Sequence, residues 1–195
     1  MTTRDRLLDE AETLFARAGI AAVTTREIVE AAEQRNTSAV SYHFGSRDGL
    51  LLGILARRGG PIDEQRGALR DALGPNPPLR DLVACLVVPY AAVLDTEGGR
   101  SYLRIVAQMR GRFAAWRVES DAATTKGLSR ILDEVEHRPD APPAIRRERT
   151  VALIMVMTAA IAERARVVDD GTEPELTHDE FVDNLVGMCT ALMGG

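Results

Sequence analysis

The sequence predicts an all-α protein in two parts: an N-terminal three-helix unit built around a helix-turn-helix, and a larger C-terminal helical domain. Three observations predict it. Apolar residues recur at three- and four-residue spacing along most of the chain, no stretch alternates convincingly with period two, and Pro/Gly-rich punctuation separates the periodic segments. The organisation read from this pattern is a unit over 1–55, a linking helix over 46–58, and a helical domain over 59–195.

Thr3 opens the first helix, in which Leu7, Ala11, Leu14, Phe15 and Ala18 make one apolar stripe and Gly19 supplies a stop. Thr24 and Glu27 form a T-x-x-E capping box: the hydroxyl accepts from the Glu27 amide and the carboxylate accepts from the cap amide. The helix it starts has Ile28, Val29 and Ala32 on its apolar side and runs about two turns before the polar cluster at 33–37. Asn36 or Thr37 caps a second short helix, which Val40 and Phe44 anchor at i, i+4. With Val40 inward, a rotation of about 100° per residue turns Ser38 and Tyr42 outward, flanked by Ala39 and Ser41. Small, hydroxylic and amphipathic side chains of this kind fit a major groove about 12 Å wide, where hydroxyls and methyls meet base edges. From Gln34 to Arg47 no carboxylate repels a phosphate, although other stretches of the chain are equally free of acid.

Ser46 caps a fourth helix that contains Leu50, Leu51, Ile54 and Leu55 and is expected to stop at Gly59-Gly60-Pro61. It begins beside the outward-facing helix and ends at the next domain, so it is read as a mechanical link. Further helices are expected near 62–73, 79–95, 100–118, 121–136, 143–168 and 178–193, with breaks at 74–78, 97–99, near 120–121, at 137–143 and at 169–174. Along 100–118, Tyr102, Ile105, Val106, Met109, Phe113 and Trp116 share an arc of about 100°, with Arg100 and Arg104 pointing away. Two readings fit this face, plain core packing or one wall of a small-molecule cavity with Tyr90 as a polar anchor. Arg110, Arg112 and Arg117 border it, as solvated rim charges or as partners of an anionic ligand.

The stretch 151–162 is apolar around its circumference, and the last helix carries two adjacent stripes: Phe181, Leu185, Met188 and Leu192 beside Val182, Val186, Cys189 and Met193. One domain core needs one stripe, so these two helices are expected to pair with their symmetry mates in a four-helix bundle. A helix sunk in its own domain is the other reading.

Composition sets the limits. At 195 residues, 45% hydrophobic and 27% charged, the chain can bury a substantial core. A net charge of −5 and an isoelectric point near 5.3 exclude coating of nucleic acid by bulk charge, but not a local reader that makes a few phosphate contacts. Cys85 and Cys189 lie in apolar surroundings and read as buried thiols. The apolar stretch 151–162 is too short for a membrane span, which needs about 20 residues, and the N-terminus has no signal-peptide pattern, so a cytoplasmic protein without membrane partners is expected. His43, His137 and His178 have no partner at a metal-ligand or triad spacing. No enzyme, metal or cofactor is expected.

The stretch 24–50 resembles the DNA-binding half of the tetracycline-repressor (TetR) family. The family pattern is an opening helix, a T-x-x-x-I helix, a turn, and a recognition helix ending in an aromatic cluster followed by F-x-S-K/R-x-x-L. Thr24 to Ile28, then Tyr42, His43 and Phe44, then Ser46, Arg47 and Leu50 match it, over roughly the first quarter of the chain. Two departures stand out. The turn Glu33-Gln34-Arg35-Asn36-Thr37 replaces the family's Gly-hydrophobic-Ser and is one residue longer, which leaves the register of the recognition helix open. Ser41 stands where the family commonly has a phosphate-contacting tyrosine, with Tyr42 next to it to take over the contact. Arg47 fits the family's backbone-clamping lysine, a role its guanidinium fork suits.

The resemblance implies a homodimeric regulator, usually a repressor, that binds a palindromic double-stranded DNA operator and responds to a small-molecule effector in a C-terminal ligand-binding and dimerisation domain. The candidate DNA contacts are Thr25, Arg35, Asn36, Thr37, Ser38, Ala39, Ser41, Tyr42, His43 and Arg47. Candidate ligand contacts are Tyr90, Tyr102, Val106, Met109, Phe113, Trp116 and Met157, and candidate dimer contacts are Val151, Met155, Phe181, Leu185, Met188 and Leu192. The alternative, a helical protein-interaction module that has lost DNA reading, rests on the unusual turn and on Ser41.

Overall fold

The computed structural model describes residues 1–36, 38–109 and 125–194, and these form nine α-helices with no strand among them. Helices α1 (Thr3–Ala18), α2 (Thr25–Ala31) and α3 (Ala39–Phe44) make the N-terminal unit, and α4 (Arg47–Ala72) leaves it. The rest comprises α5 (Leu79–Ala92), extended by a 3-10 turn (Val93–Asp95), α6 (Glu97–Gln108), α7 (Lys126–Glu136), α8 (Pro143–Asp169) and α9 (His178–Leu192).

The cap chemistry explains the starts. Thr24 N donates to the Glu27 carboxylate at 2.7 Å while Glu27 N donates to the Thr24 hydroxyl at 3.3 Å, so the capping box expected for α2 is present. Ser46 Oγ accepts from Gly49 N at 2.9 Å to start α4. Gly19 ends α1 with a positive φ of 96°. Leu7, Ala11 and Phe15 are buried as the stripe predicts, and with Ile28, Val40, Leu50 and Ile54 they form the core of the N-terminal unit. Each of the larger side chains contributes about 1.5–3 kcal/mol by leaving water, and Ala11 under about 1 kcal/mol.

Two expected breaks are absent. Helix α4 runs unbroken through Gly59, Gly60 and Pro61. Pro61 removes one backbone hydrogen bond, but Gly60 has no Cβ to meet the pyrrolidine ring, and the buried Leu51, Ile54, Leu55 and Ile62 hold both halves on one core. Gly59 has a packing role instead: a Cβ there would lie 3.1 Å from the Tyr102 hydroxyl, which rests against the helix. The break expected at 97–99 is the first turn of α6, where the Thr96 hydroxyl accepts from Gly99 N at 3.0 Å. Gly98 leaves room for Arg58, whose NH2 would be 2.1 Å from an added Cβ.

Buried charge ties the parts together. The Glu12 carboxylate of α1 is only 3% exposed and accepts from Arg57 NH2 at 2.5 Å and from Arg58 Nε and NH2 at 2.8 and 3.0 Å. The second half of α4 turns Asp63, Arg66 and Arg70 inward. Asp63 accepts from the Gly127 and Leu128 amides, both at 2.7 Å, and so caps α7 from a distant helix. Arg70 pairs with Glu134 of α7 at 2.7–2.9 Å.

Candidate functional site

Helix α3 is seated by Val40, which is 1% exposed, with Phe44 packed at the edge of the core. Its outward face carries Ser38, Ser41 and Tyr42, all exposed, and Tyr42 is 83% exposed with its ring edge-on to His43 at 4.9 Å. A tyrosine left so far out of the core presents its ring and hydroxyl to whatever docks there. Arg35 and Asn36 are exposed in the preceding turn, Thr25 and His43 are half-buried at the flanks, and Thr37 lies outside the described residues. Asn36 Oδ1 accepts from Ser38 N at 2.9 Å, which closes an Asx turn onto the helix entrance.

Two expected contacts are placed differently. Ala39 is buried, 7% exposed, because adjacent helical positions lie about 100° apart and α3 rests on the core through an arc wide enough to take both Ala39 and Val40. Arg47 turns inward. Its Nε donates to Val23 O at 3.1 Å, its NH2 donates to Ile20 O, and its guanidinium lies 5.0 Å above the Phe15 ring. The loop after α1 has carbonyls without helical partners, and the guanidinium fork fits them. Arg4, which sequence reasoning passed over, has its guanidinium 5.2 Å from the Phe44 ring, and Arg4 is exposed beside the end of α3.

The turn between α2 and α3 has a definite geometry. Gln34 N donates to Val29 O at 2.9 Å and Glu33 N to Glu30 O at 3.0 Å, the pair of bonds of a Schellman motif. Glu33 therefore holds a φ of 54°, at the position where glycine is usual.

A second site lies in the C-terminal helices. An apolar cavity of about 70 Å³ is lined by Leu55 and Arg66 of α4, Tyr90 of α5, Tyr102 and Val106 of α6 with Met109 at its end, and Leu128 of α7. Helix α8 contributes Val151, Ile154, Met155, Met157 and Thr158. Tyr90, Tyr102, Val106, Met109 and Met157 thus line one cavity, while Phe113, Trp116 and the border arginines 110, 112 and 117 lie outside the described residues. Tyr90 and Tyr102 meet edge to face at 6.2 Å. Burial pushes the Tyr102 hydroxyl up to about 12 and the Tyr90 hydroxyl well above the usual phenol range, so both are neutral donors at neutral pH. Arg100 and Arg104 do point away from the cavity, onto Asp169 at the end of α8. Arg66 was missed because a charge on a buried face runs against the apolar stripe that periodicity looks for.

Of the expected dimer contacts, Val151, Met155 and Met188 are exposed at 44%, 48% and 48%, and Phe181 and Leu192 are half-buried. Leu185 is 1% exposed: it faces the chain's own core with Val186 and Cys189, so α9 turns only part of its apolar surface outward. Val151 and Met155 belong to the cavity wall as well as to this face. Among the described residues, no helix is long and apolar enough to cross a membrane and no cluster of three His, Cys, Asp or Glu could hold a metal.

Residues 7–54 match the family model for bacterial regulatory proteins of the tetR family. Comparison with curated proteins finds no match. Solved structures similar to this chain include AmtR of Mycobacterium smegmatis, at 21% identity and a TM-score of 0.60 over 97% of this chain and 87% of the other. NalD, the secondary repressor of the MexAB-OprM multidrug efflux pump in Pseudomonas aeruginosa, gives 19% identity and a TM-score of 0.63 over 96% and 93%. SmeT, the repressor of the Stenotrophomonas maltophilia efflux pump SmeDEF, gives 21% and 0.60 over 98% and 90%. At these identities the structures establish a shared fold that extends beyond the family-model match to nearly the whole chain.

Proposed function

We propose that this chain, whose residues 7–54 match the model for bacterial regulatory proteins of the tetR family, is a homodimeric, ligand-responsive repressor of a palindromic operator. The observation that carries the reading is the outward face of α3, with Ser38, Ser41 and the 83% exposed Tyr42 on a helix that Val40 locks to the core. Those three residues read the major groove, Thr25, Arg35, Asn36 and His43 flank them toward the phosphates, and Thr37 is a further DNA contact in this reading. Arg47 acts by fixing the loop after α1, and Arg4 beside Phe44 is a further phosphate contact.

The chain divides into a reader over 1–55 and a ligand-binding and dimerisation domain over 59–195, with α4 spanning both. The exposed Val151, Met155 and Met188 make the dimer face, so that two copies of α3 meet half-sites about 34–36 Å apart. An effector in the cavity presses on α6. At the end of α6, the Gln108 side chain accepts from Ile20 N at 2.7 Å and donates to Phe15 O at 3.0 Å. Arg47 holds the other side of Ile20, next to α3, so one loop receives both domains. A ligand that prefers the spacing incompatible with the operator releases it by its differential affinity for the two states.

Fluorescence anisotropy of the purified protein on DNA from upstream of its own gene tests the reading. Saturable, salt-sensitive, competitor-resistant binding that Tyr42→Ala weakens by about tenfold or more is expected. Binding or biological function indifferent to Tyr42→Ala favours the protein-interaction module instead.

A further inference from the structure

The cavity wall holds two polar groups that the packing of the chain leaves incompletely answered. Arg66 is 6% exposed, and its Nε and NH2 donate to a single backbone carbonyl, Leu86 O, at 3.3 and 3.1 Å. No carboxylate among the described residues lies within ion-pair distance of its guanidinium. The nearest acid along the helix is Asp63, whose two oxygens are taken up by the Gly127 and Leu128 amides at the start of α7. Its charge is directed at that helix end. Beside Arg66, with the guanidinium 5.5 Å from its ring, Tyr90 is 3% exposed, and its hydroxyl is buried without a hydrogen-bond partner.

A buried guanidinium with no carboxylate and a phenol with no acceptor among the described residues are each costly, and the cost is recovered when something brings an acceptor to both. The remaining wall is apolar, chiefly Leu55, Val106, Leu128, Ile154 and Met157. Resting on the reading of the cavity as an effector site, we infer that the effector is a small monoanionic carboxylic acid. Its carboxylate accepts from Arg66 and from the Tyr90 hydroxyl, and its hydrocarbon body lies against the aliphatic wall. The acceptor must be charged, because a guanidinium keeps its proton even where burial disfavours the charge, and a neutral head leaves that charge uncompensated. The body must be small, because about 70 Å³ of open space is less than half the roughly 150 Å³ that encloses benzene, so a ring or a C5–C6 chain fills it and reaches the mouth at the exposed Val151 and Met155.

The test is calorimetric titration of the full chain, free of DNA, with hexanoate and benzoate. Hexanamide, hexan-1-ol and hexylamine serve as neutral and cationic isosteres. The carboxylates are expected to bind roughly 10–100-fold more tightly than the amide or alcohol, the margin of charge-assisted hydrogen bonds, and the amine not at all. Tyr90→Phe keeps the ring and should cost about tenfold for the carboxylates alone. Arg66→Met should abolish the preference for carboxylate over amide while leaving thermal stability equal or higher, since it removes a buried charge that has no ionic partner among the described residues. Equal binding of acid and amide, no saturable binding of either acid, or a carboxylate preference that survives Arg66→Met overturns the inference. The two readings fail separately: Arg66-dependent acid binding in a protein that ignores its upstream DNA supports this site and overturns the repressor.

Discussion

Glu33 holds a left-handed backbone at the C′ position of α2, where any side chain but glycine meets strain of about 1–2 kcal/mol. Its ion pair with Arg6 is long, at 3.9 Å, and exposed on both sides, so it offsets little. Glu33→Gly should therefore raise stability by about 0.5–1 kcal/mol, after subtracting glycine's extra chain entropy, as read by chemical denaturation. The longer turn was legible in the sequence as an irregularity, but its geometry was not, because a Schellman motif without its glycine leaves no mark. Tyr42 was legible for the opposite reason: placing Val40 inward fixes what must face out. Titration offers a second check at this scale. The hydrogen bonds from Arg70 hold the Glu134 carboxyl below its usual 4.5, so the pair contributes stability fully above that pH and loses it as pH falls through the lowered value. Glu134→Gln should cost roughly 1–2 kcal/mol near neutral pH, with the two melting curves converging as pH falls below the usual carboxylate range.

At the scale of elements, helices were readable wherever the buried face is apolar, as in α1, α6 and α9. The second half of α4 was not, since its inward residues include Asp63, Arg66 and Arg70, each placed by a partner on another helix that no local pattern records. The same long-range packing carries α4 through Gly59-Gly60-Pro61, a triplet that in isolation ends a helix. The continuity makes α4 a stiff rod between reader and cavity, while the Gln108 bridge from α6 to the end of α1 is a second connection of another kind, two hydrogen bonds to one loop. Gln108→Ala removes that bridge without touching α3 or the cavity wall. Effector affinity of the free protein should stay within about twofold, while the ligand-induced loss of operator affinity should shrink by about 1–2 kcal/mol. An unchanged coupling energy would assign the signal to α4 alone.

For the whole molecule, the outward apolar face of α8 and α9 decides whether one copy suffices. Val151, Met155 and Met188 are each more than 40% exposed on adjacent helices, the face that the proposed homodimer would cover with a second copy. Met188→Glu puts a charge at that face, outside the cavity wall, so the fold and the pocket should survive while the dimer dissociates. Sedimentation velocity should then report a monomer, and operator affinity should fall by several orders of magnitude because the second half-site no longer binds as part of the same molecule. Persistence of the dimer would move the interface elsewhere. Met155→Glu differs in an informative way: Met155 lines the cavity and is also exposed on the proposed dimer face. A substitution there should break the dimer and also weaken effector binding, whereas Met188→Glu weakens effector binding only if the partner completes the cavity wall. Comparing the two variants by calorimetry separates a pocket closed within one chain from one closed by dimerisation. In the second case the effector would strengthen or loosen the dimer by the same factor that the dimer changes its affinity.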